Sequence, residues 1–346
     1  MTETPTLMRR EIDEIPQAVE RLLSEGAGEI ARIAGMVRAR DVAFLMSVAR
    51  GSSDHAATFL KYASELLLGL PMASVGPSVA SIYGAELKVG AALCLAVSQS
   101  GRSPDIVRMT AAAGRAGALT VAITNDPASP LAAAARATLP IHAGPELSVA
   151  ATKTFVCSLV AGLWLLAEVK GDADLLAAIR ALPGHLDAAA RCDWSEAAAA
   201  VLQRADGASL YTLGRGPSWA VSNEAALKFK ETCRIHAESY SSAEVLHGPV
   251  SIVGTGFPVI ALAAADAAED SVVGIADDLA AKGAAAFVTS DRARRARPLP
   301  HRRTGHWLTD PAAAVVSFYG MVESVARARG IDPDRPRHLR KVTETL

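Results

Sequence analysis

No phosphate loop of the form GxxxxGK[ST] occurs in this chain, and no GxGxxG turn follows any of its apolar runs. A nucleoside triphosphate and a dinucleotide are therefore not indicated. There is no HExxH pattern, and the four cysteines, Cys94, Cys157, Cys192 and Cys233, stand far apart at no metal-ligand spacing. Hence no metal and no cofactor is expected, and the thiols read as reduced structural groups of a cytoplasmic protein. An excess of one charge is missing too: 35 basic against 36 acidic groups leave a formal net charge of -1. That balance gives no support for a nucleic-acid partner. The basic runs Arg292 to Arg297 and His301 to Arg303 read as a solvated face. The opening MTETPTLMRREIDEIP has no apolar stretch of the signal-peptide kind. Leu147 to Val169 comes nearest to a membrane span, but Lys153 and Glu168 leave a neutral core of about 14 residues. About 20 are needed to cross a bilayer, so a buried core helix is expected and no membrane partner.

What is present is apolar and regularly spaced. Half of the 346 residues are hydrophobic, and the length suits two domains. Short apolar runs at Ala43 to Ala49, Leu93 to Ser98, Leu119 to Thr124 and Thr138 to Ala143 read as strands. Ser209 to Gly214, Phe257 to Ala263 and Ala284 to Ser290 read likewise in the second half. Ile15 to Val37, Asp54 to Leu68 and Ala312 to Arg329 have helical spacing. Phe44 to Leu93 spans 49 positions, as does Leu210 to Val259. Glycines close the first strand of each half, at Gly51 and Gly214. The spacing predicts an α/β fold repeated twice, each half a parallel sheet with helices on both faces, joined between Gly171 and Asp206. The polar tail GIDPDRPRHLRKVTETL reads as a loop or arm.

Two polar clusters stand out against this background, both after strand ends, where open α/β sheets bind ligands. Ser98, Gln99, Ser100, Gly101 and Ser103 lead into a helix with Pro104 at its first position. Hydroxyls and backbone N–H groups there suit an anion, and Gln99 suits a sugar hydroxyl. The alternative is that Ser100 and Ser103 only cap the helix. Gly51-Ser52-Ser53 is a weaker signal of the same kind. Thr152 is placed to reach an anion, while Lys153 reads as a surface or outer charge. The second cluster holds Glu224, Lys228, Glu231, His236, Glu238, Glu244 and His247 within 24 residues. Glu224, Lys228 and Glu231 share one helical face. That face is either a solvated salt-bridge row or part of a pocket beyond the Gly214 strand end. His247 precedes Gly248-Pro249 and is held on a constrained backbone. Its spacing to His236 and Glu238 matches no metal motif.

These residues resemble the sugar isomerase (SIS) family. The matching pieces, in order from Arg50 to Glu344, are RGSSDHAATFLKY, SQSGRSPD, AGPELSVAATKTF, LGRG, EAALKFKETCRIHAESYSSAEVLHGP and PRHLRKVTE. Within the family the chain is most similar to the isomerase half of glucosamine-6-phosphate synthase and to stand-alone glucosamine-6-phosphate deaminases. The resemblance implies two tandem SIS domains, each a flavodoxin-like three-layer α/β/α unit. It implies a helical segment at residues 1–34, domains at 35–185 and 200–330, and a catalytic tail at 331–346. A homodimer with a shared active site and a hexose or amino-sugar 6-phosphate ligand are implied as well.

Residue roles follow from the same resemblance. Ser98, Gln99, Ser100 and Gly101 match the phosphate-binding run, and Ser53 the strand-end serine. The family's last phosphate hydroxyl has no matching threonine, and Ser103 and Asp105 flank its place. Ala151-Thr152-Lys153 stands where the synthase has Ser-Thr-Lys, so one sugar-contacting hydroxyl is absent. Glu231 matches the proton-transfer glutamate, Lys228 its lysine, His247 the ring-opening histidine given across the dimer, and Lys341 the lysine of the tail. Val342 replaces a family serine. About 40 residues precede the first strand, with no cysteine before Cys94, so no glutaminase nucleophile is expected. The implied reaction is glucosamine 6-phosphate and water to fructose 6-phosphate and ammonia, by aldose–ketose isomerisation. Galactosamine-6-phosphate deamination, another phosphosugar isomerisation, and a non-catalytic phosphosugar-binding regulator are the alternatives.

Overall fold

Alternating side-chain direction explains how such short runs form a sheet buried on both faces. In the computed structural model, which describes residues 5–204 and 209–341, every residue of Ala92–Val97 and of Leu119–Thr124 is buried. Met46, Val48, Cys94, Ala96 and Ala122 enter one cluster with Ile106, Met109, Ala113 and Leu131. By alternation, Leu45, Leu93, Leu95 and Val121 face the other way.

The elements follow in chain order. Helices α1 (Leu7–Asp13), α2 (Ile15–Glu25) and α3 (Ala27–Arg38) come first. Then come β1 (Phe44–Val48), α4 (Ser52–Leu68), β2 (Met72–Ser74), α5 (Ser78–Ser81), β3 (Ala92–Val97) and α6 (Pro104–Arg115). β4 (Leu119–Thr124), α7 (Pro130–Ala134), β5 (Ala137–Pro140) and α8 (Lys153–Lys170) finish the first half. α9 (Ala173–Ala190) and α10 (Ser195–Leu202) lead to β6 (Ser209–Gly214), α11 (Pro217–Cys233), β7 (His236–Ser241) and β8 (Pro258–Ala261). α12 (Glu269–Ala281), β9 (Ala285–Val288), β10 (Arg297–Pro298) and α13 (Asp310–Ala328) complete the chain.

Each half makes one five-stranded sheet, in the orders β2-β1-β3-β4-β5 and β10-β9-β8-β6-β7. All pairings are parallel, and both orders are the same doubly wound 2-1-3-4-5 arrangement. The chain divides into two compact units. One contains Gln17–Glu146, Lys153–Arg180 and the chain from Arg340; the other contains the chain up to Pro16, Leu147–Thr152 and Ala181–Leu339. In the first-sheet unit α3, α4 and α8 pack together, as do α5, α6 and α7. In the second-sheet unit α11 packs on β6, β7 and α13, and α12 on β8 and β9. Both α/β/α units thus have the three layers expected.

Several local expectations change. The helix expected over Ile15 to Val37 is broken at Gly26, where a Cβ would lie 2.7 Å from the Leu22 carbonyl oxygen. The helix expected from Leu147 begins at Lys153, because Leu147–Thr152 is bent and irregular, with the Ser148 and Val149 N–H groups hydrogen bonded to Glu11 and Asp334. From there α8 is a core helix, buried at all but its last few residues. The glycine that matches Gly51 is Gly216, not Gly214. Gly51 (φ 55°, ψ -133°) and Gly216 (φ 57°, ψ -137°) occupy the same left-handed, extended conformation just before α4 and α11. That region is essentially restricted to glycine. Gly214 has a different role: a Cβ there would lie 2.5 Å from the Ser218 carbonyl oxygen, so strand and helix meet closely.

Gly51→Ala and Gly216→Ala are each expected to lower stability by about 1–3 kcal/mol, through the same strained turn. Urea titration should show a lower midpoint at unchanged slope. Unchanged midpoints would mean that these turns relax without cost.

Candidate active site

The 2-1-3-4-5 order places the switch point of the first sheet between β1 and β3. The segments after these strands are Ala49–Gly51, followed by Ser52 and Ser53 at the start of α4, and Ser98–Ser103. They are tied together by Arg50, whose Nη2 and Nε donate to buried Asp105 at 3.0 and 3.2 Å. The Ser98 loop folds on itself. Gly101 N–H donates to Ser98 Oγ at 3.2 Å and Arg102 N–H to Ser100 Oγ at 3.3 Å. A hydroxyl that accepts from its own loop still carries a proton to donate to an anion. Gly101 has φ 62°, and a Cβ there would lie 2.1 Å from Ser129 Oγ, so no other residue fits without rearrangement. Asn125 N–H and Thr124 Oγ1 donate to the Gln99 carbonyl at 3.1 and 3.3 Å and fix the loop from β4. Ser103 sits at the N-cap position of α6 without a side-chain capping bond, so its expected cap does not form.

Beside β5 the first-sheet unit holds a second polar centre. Glu146 is buried and accepts from Thr154 N–H at 3.0 Å, Thr154 Oγ1 at 2.6 Å and Lys341 Nζ at 2.7 Å. Burial alone would push this carboxyl up. The Lys341 ammonium and the two Thr154 bonds outweigh it and hold the carboxyl below its ordinary value. Lys341 is therefore an ion-paired residue with a fixed partner. The tail beyond it, 342–346, lies outside the described residues, including Val342.

In the second-sheet unit, the helical face read from the sequence is buried. Lys228 and Glu224 are fully enclosed, with Nζ 3.3 Å from Glu224 Oε1. Lys228 also pairs with Glu231, whose side chain is 21% exposed. Tyr319 Oη, on α13, donates to Glu224 Oε1 at 3.2 Å. Burial would lower the Lys228 ammonium, but the two carboxylates raise it to about 12 and keep it charged. Of the two readings left open, the solvated row is excluded. The arrangement is a buried charge with one carboxylate at its solvent-facing end.

His247 lies between two 3₁₀ turns, Glu244–Leu246 and Pro249–Ile252, and is exposed. Gly248 at φ 130° turns the backbone there. Tyr211 Oη donates to the Pro249 carbonyl at 3.0 Å and anchors this turn to β6. His236 and Glu238 stand on strand β7, where Tyr240 Oη donates to Glu238 at 2.9 Å. No cluster of three or more metal-binding side chains occurs among the described residues.

The SIS domain model matches residues 25–168 and 204–293, well over half of the chain. The chain belongs to the SIS-domain family. A glutamine–fructose-6-phosphate aminotransferase of Aeropyrum pernix is 34% identical over 97% of this chain. This chain spans 57% of that relative's length. A proposed phosphosugar isomerase from Silicibacter pomeroyi DSS-3 is 65% identical, with a TM-score of 0.92 over 95% of this chain and 100% of its own. The glucosamine-6-phosphate deaminase of Thermotoga maritima shares the fold at TM-score 0.78 and 19% identity, over 98% of this chain and 100% of its own.

The expected residues fall in five places, with His247 on its own turn and Lys341 at Glu146. Ser53, Ser98, Gln99, Ser100, Gly101 and Ser103 gather at the first switch point. Lys228 and Glu231 meet on α11. Thr152 is fully buried in the segment before α8. Lys153, expected as a surface charge, is 2% exposed at the start of α8. Arg303, expected on a solvated face, donates to Ala263 O, Thr289 O and Glu269 at 2.6–3.1 Å. Glu146 was missed, although it is the lone acid of the matched segment AGPELSVAATKTF. No helix among the described residues is long and apolar enough to cross a membrane.

Because Glu146 is held below its ordinary 4.5, its pairing stabilises fully above that pH and fades as the pH falls through the lowered value. Lys341→Met should cost about 1–3 kcal/mol at pH 7. Urea midpoints of both proteins should converge on acidification below pH 4.5. A constant difference would show that the pair contributes through packing alone.

Proposed function

We propose that the chain is an amino-sugar-phosphate deaminase, converting glucosamine 6-phosphate and water to fructose 6-phosphate and ammonia. The observation that carries this reading is the buried Lys228 ammonium paired with Glu231, a carboxylate still reachable from solvent. Aldose–ketose isomerisation needs one group that takes a proton from C2 and returns it to C1. It also needs a fixed positive charge near the oxygen on which enediol charge develops. Glu231 fills the first role and Lys228 the second. Ser98, Gln99, Ser100 and Ser103, with Ser53 and the N–H groups turned by Gly101, hold the phosphate. Thr152, enclosed in the segment before α8, supports the sugar site from behind. His247 passes a proton as the pyranose opens. Proton return to C1 yields the imine of fructose 6-phosphate, and water then replaces the nitrogen as ammonia. Lys341, held by Glu146, meets the opened sugar.

The protein acts as a homodimer in which His247 serves the partner's site. Two exposed apolar side chains flank His247, Leu246 at 48% and Ile252 at 57%, and both gain by being covered. The proposed phosphosugar isomerase of Silicibacter pomeroyi and the aminotransferase of Aeropyrum pernix support the substrate class.

Purified protein given glucosamine 6-phosphate should release ammonia and fructose 6-phosphate in equal amounts. Turnover of galactosamine 6-phosphate alone would change the epimer. Tight phosphosugar binding with no turnover across a panel would make the protein a regulator instead. Glu231→Gln should lower the rate by about 10²–10⁴ while binding of the product is kept. Near-full turnover in that variant would remove Glu231 from the chemistry. Mixing inactive Glu231→Gln and His247→Ala proteins should restore about a quarter of the activity on random exchange. Verified exchange without recovery would place both residues in one subunit's site.

A further inference from the structure

Helix α1 is only seven residues long, yet two segments of the second-sheet unit are hydrogen bonded to it. At its start, the Leu7 and Met8 N–H groups donate to the two oxygens of Asp334, each at 2.7 Å. Farther along, Glu11 is 4% exposed. Its carboxylate accepts from Leu147 N–H, and from Ser148 N–H at 3.2 and 3.3 Å. Val149 N–H then donates to the Asp334 carbonyl at 3.2 Å, which closes the network. One helix therefore holds both the segment leading to Thr152 and the start of the tail leading to Lys341.

We propose that Glu11 and Asp334 are positioning residues, which set where Thr152 and Lys341 stand without touching the substrate. This rests on the proposed roles of those two residues. Asp334 precedes Lys341 by seven positions, and an extended chain advances about 3.3–3.6 Å per residue. Free at Asp334, the tail would let Lys341 range widely. Fixed there, the tail leaves Lys341 only seven residues of chain over which to range. Glu11 acts on the other segment by a similar device, binding the two amides that directly follow Glu146. A misplacement of about 1 Å is enough to cost about 10²-fold in rate.

The test uses the full-length protein with Asp334→Ala, Asp334→Asn, Lys341→Met and the Asp334→Ala/Lys341→Met double variant. Asp334→Ala should raise amide hydrogen exchange across residues 335–341 at least about tenfold. It should lower kcat about 10- to 100-fold with KM within about twofold. Asp334→Asn keeps one acceptor oxygen, folds in the same shape and should recover part of the rate. The double variant should be no slower than Lys341→Met alone, since both changes remove one function. Unchanged exchange in the tail overturns the proposal, and so does a double variant whose losses multiply. Should the unaltered protein turn over no phosphosugar, the functional reading falls by itself. The exchange result then still decides whether Asp334 anchors the tail.

Discussion

A fully enclosed ammonium must be neutralised where it stands, and Lys228 is neutralised from both directions along its own helix. Glu224 precedes it by one turn and Glu231 follows it by nearly one. The spacing works only while α11 stays helical, so the charge row and the helix depend on each other. Tyr319 extends the row to α13, and Gly214 allows α11 to approach β6 closely enough to bury it. A row of three charges with one cation leaves a net negative end, which Glu231 presents to solvent. A carboxylate held in that way is fixed in place and still reached by solvent.

The two halves share strand order and spacing but not chemistry. After β3 the chain places hydroxyls and a left-handed glycine at the strand end. After β8 the corresponding stretch is Leu262-Ala263-Ala264-Ala265, without a hydroxyl. There Arg303 spans the carbonyls of Ala263 and Thr289 and pairs with Glu269, while Asp310 accepts from Ala265 N–H at 2.9 Å. Internal carboxylates thus take up the donors that an anion would otherwise use. The same backbone plan supports a candidate cradle in one half and a self-satisfied network in the other. A fold-level match cannot distinguish these outcomes, because the difference lies in side chains at equal backbone positions.

Legibility followed sequence distance. The strands at 44–48, 92–97, 119–124 and 209–214 were readable because burial on both faces requires unbroken apolar runs. The short edge strands β2, β7 and β10 were not, since half-exposed edges carry residues such as His236 and Glu238. On α11 the grouping of Glu224, Lys228 and Glu231 was visible, because residues three and four apart share a helical face. Whether that face met water or the interior was not, and neither was the Tyr319 contact from 95 positions away.

By itself, then, the order of residues determined what neighbours in the chain can settle. That covers the doubled βα plan, the hydroxyl loop before α6 and the ionic row on α11. Tertiary structure alone decided the pairings of distant charges. Lys341 with Glu146 joins residues 195 positions apart, and Asp334 with Leu7 joins residues 327 apart. Each such pair forms only after the intervening chain has closed its loops, and nothing in the local pattern names the partner. Burial is likewise a property of the packed whole. Lys153 and Lys228 are both lysines of helices in apolar surroundings, and only the packing around them shows that each is enclosed.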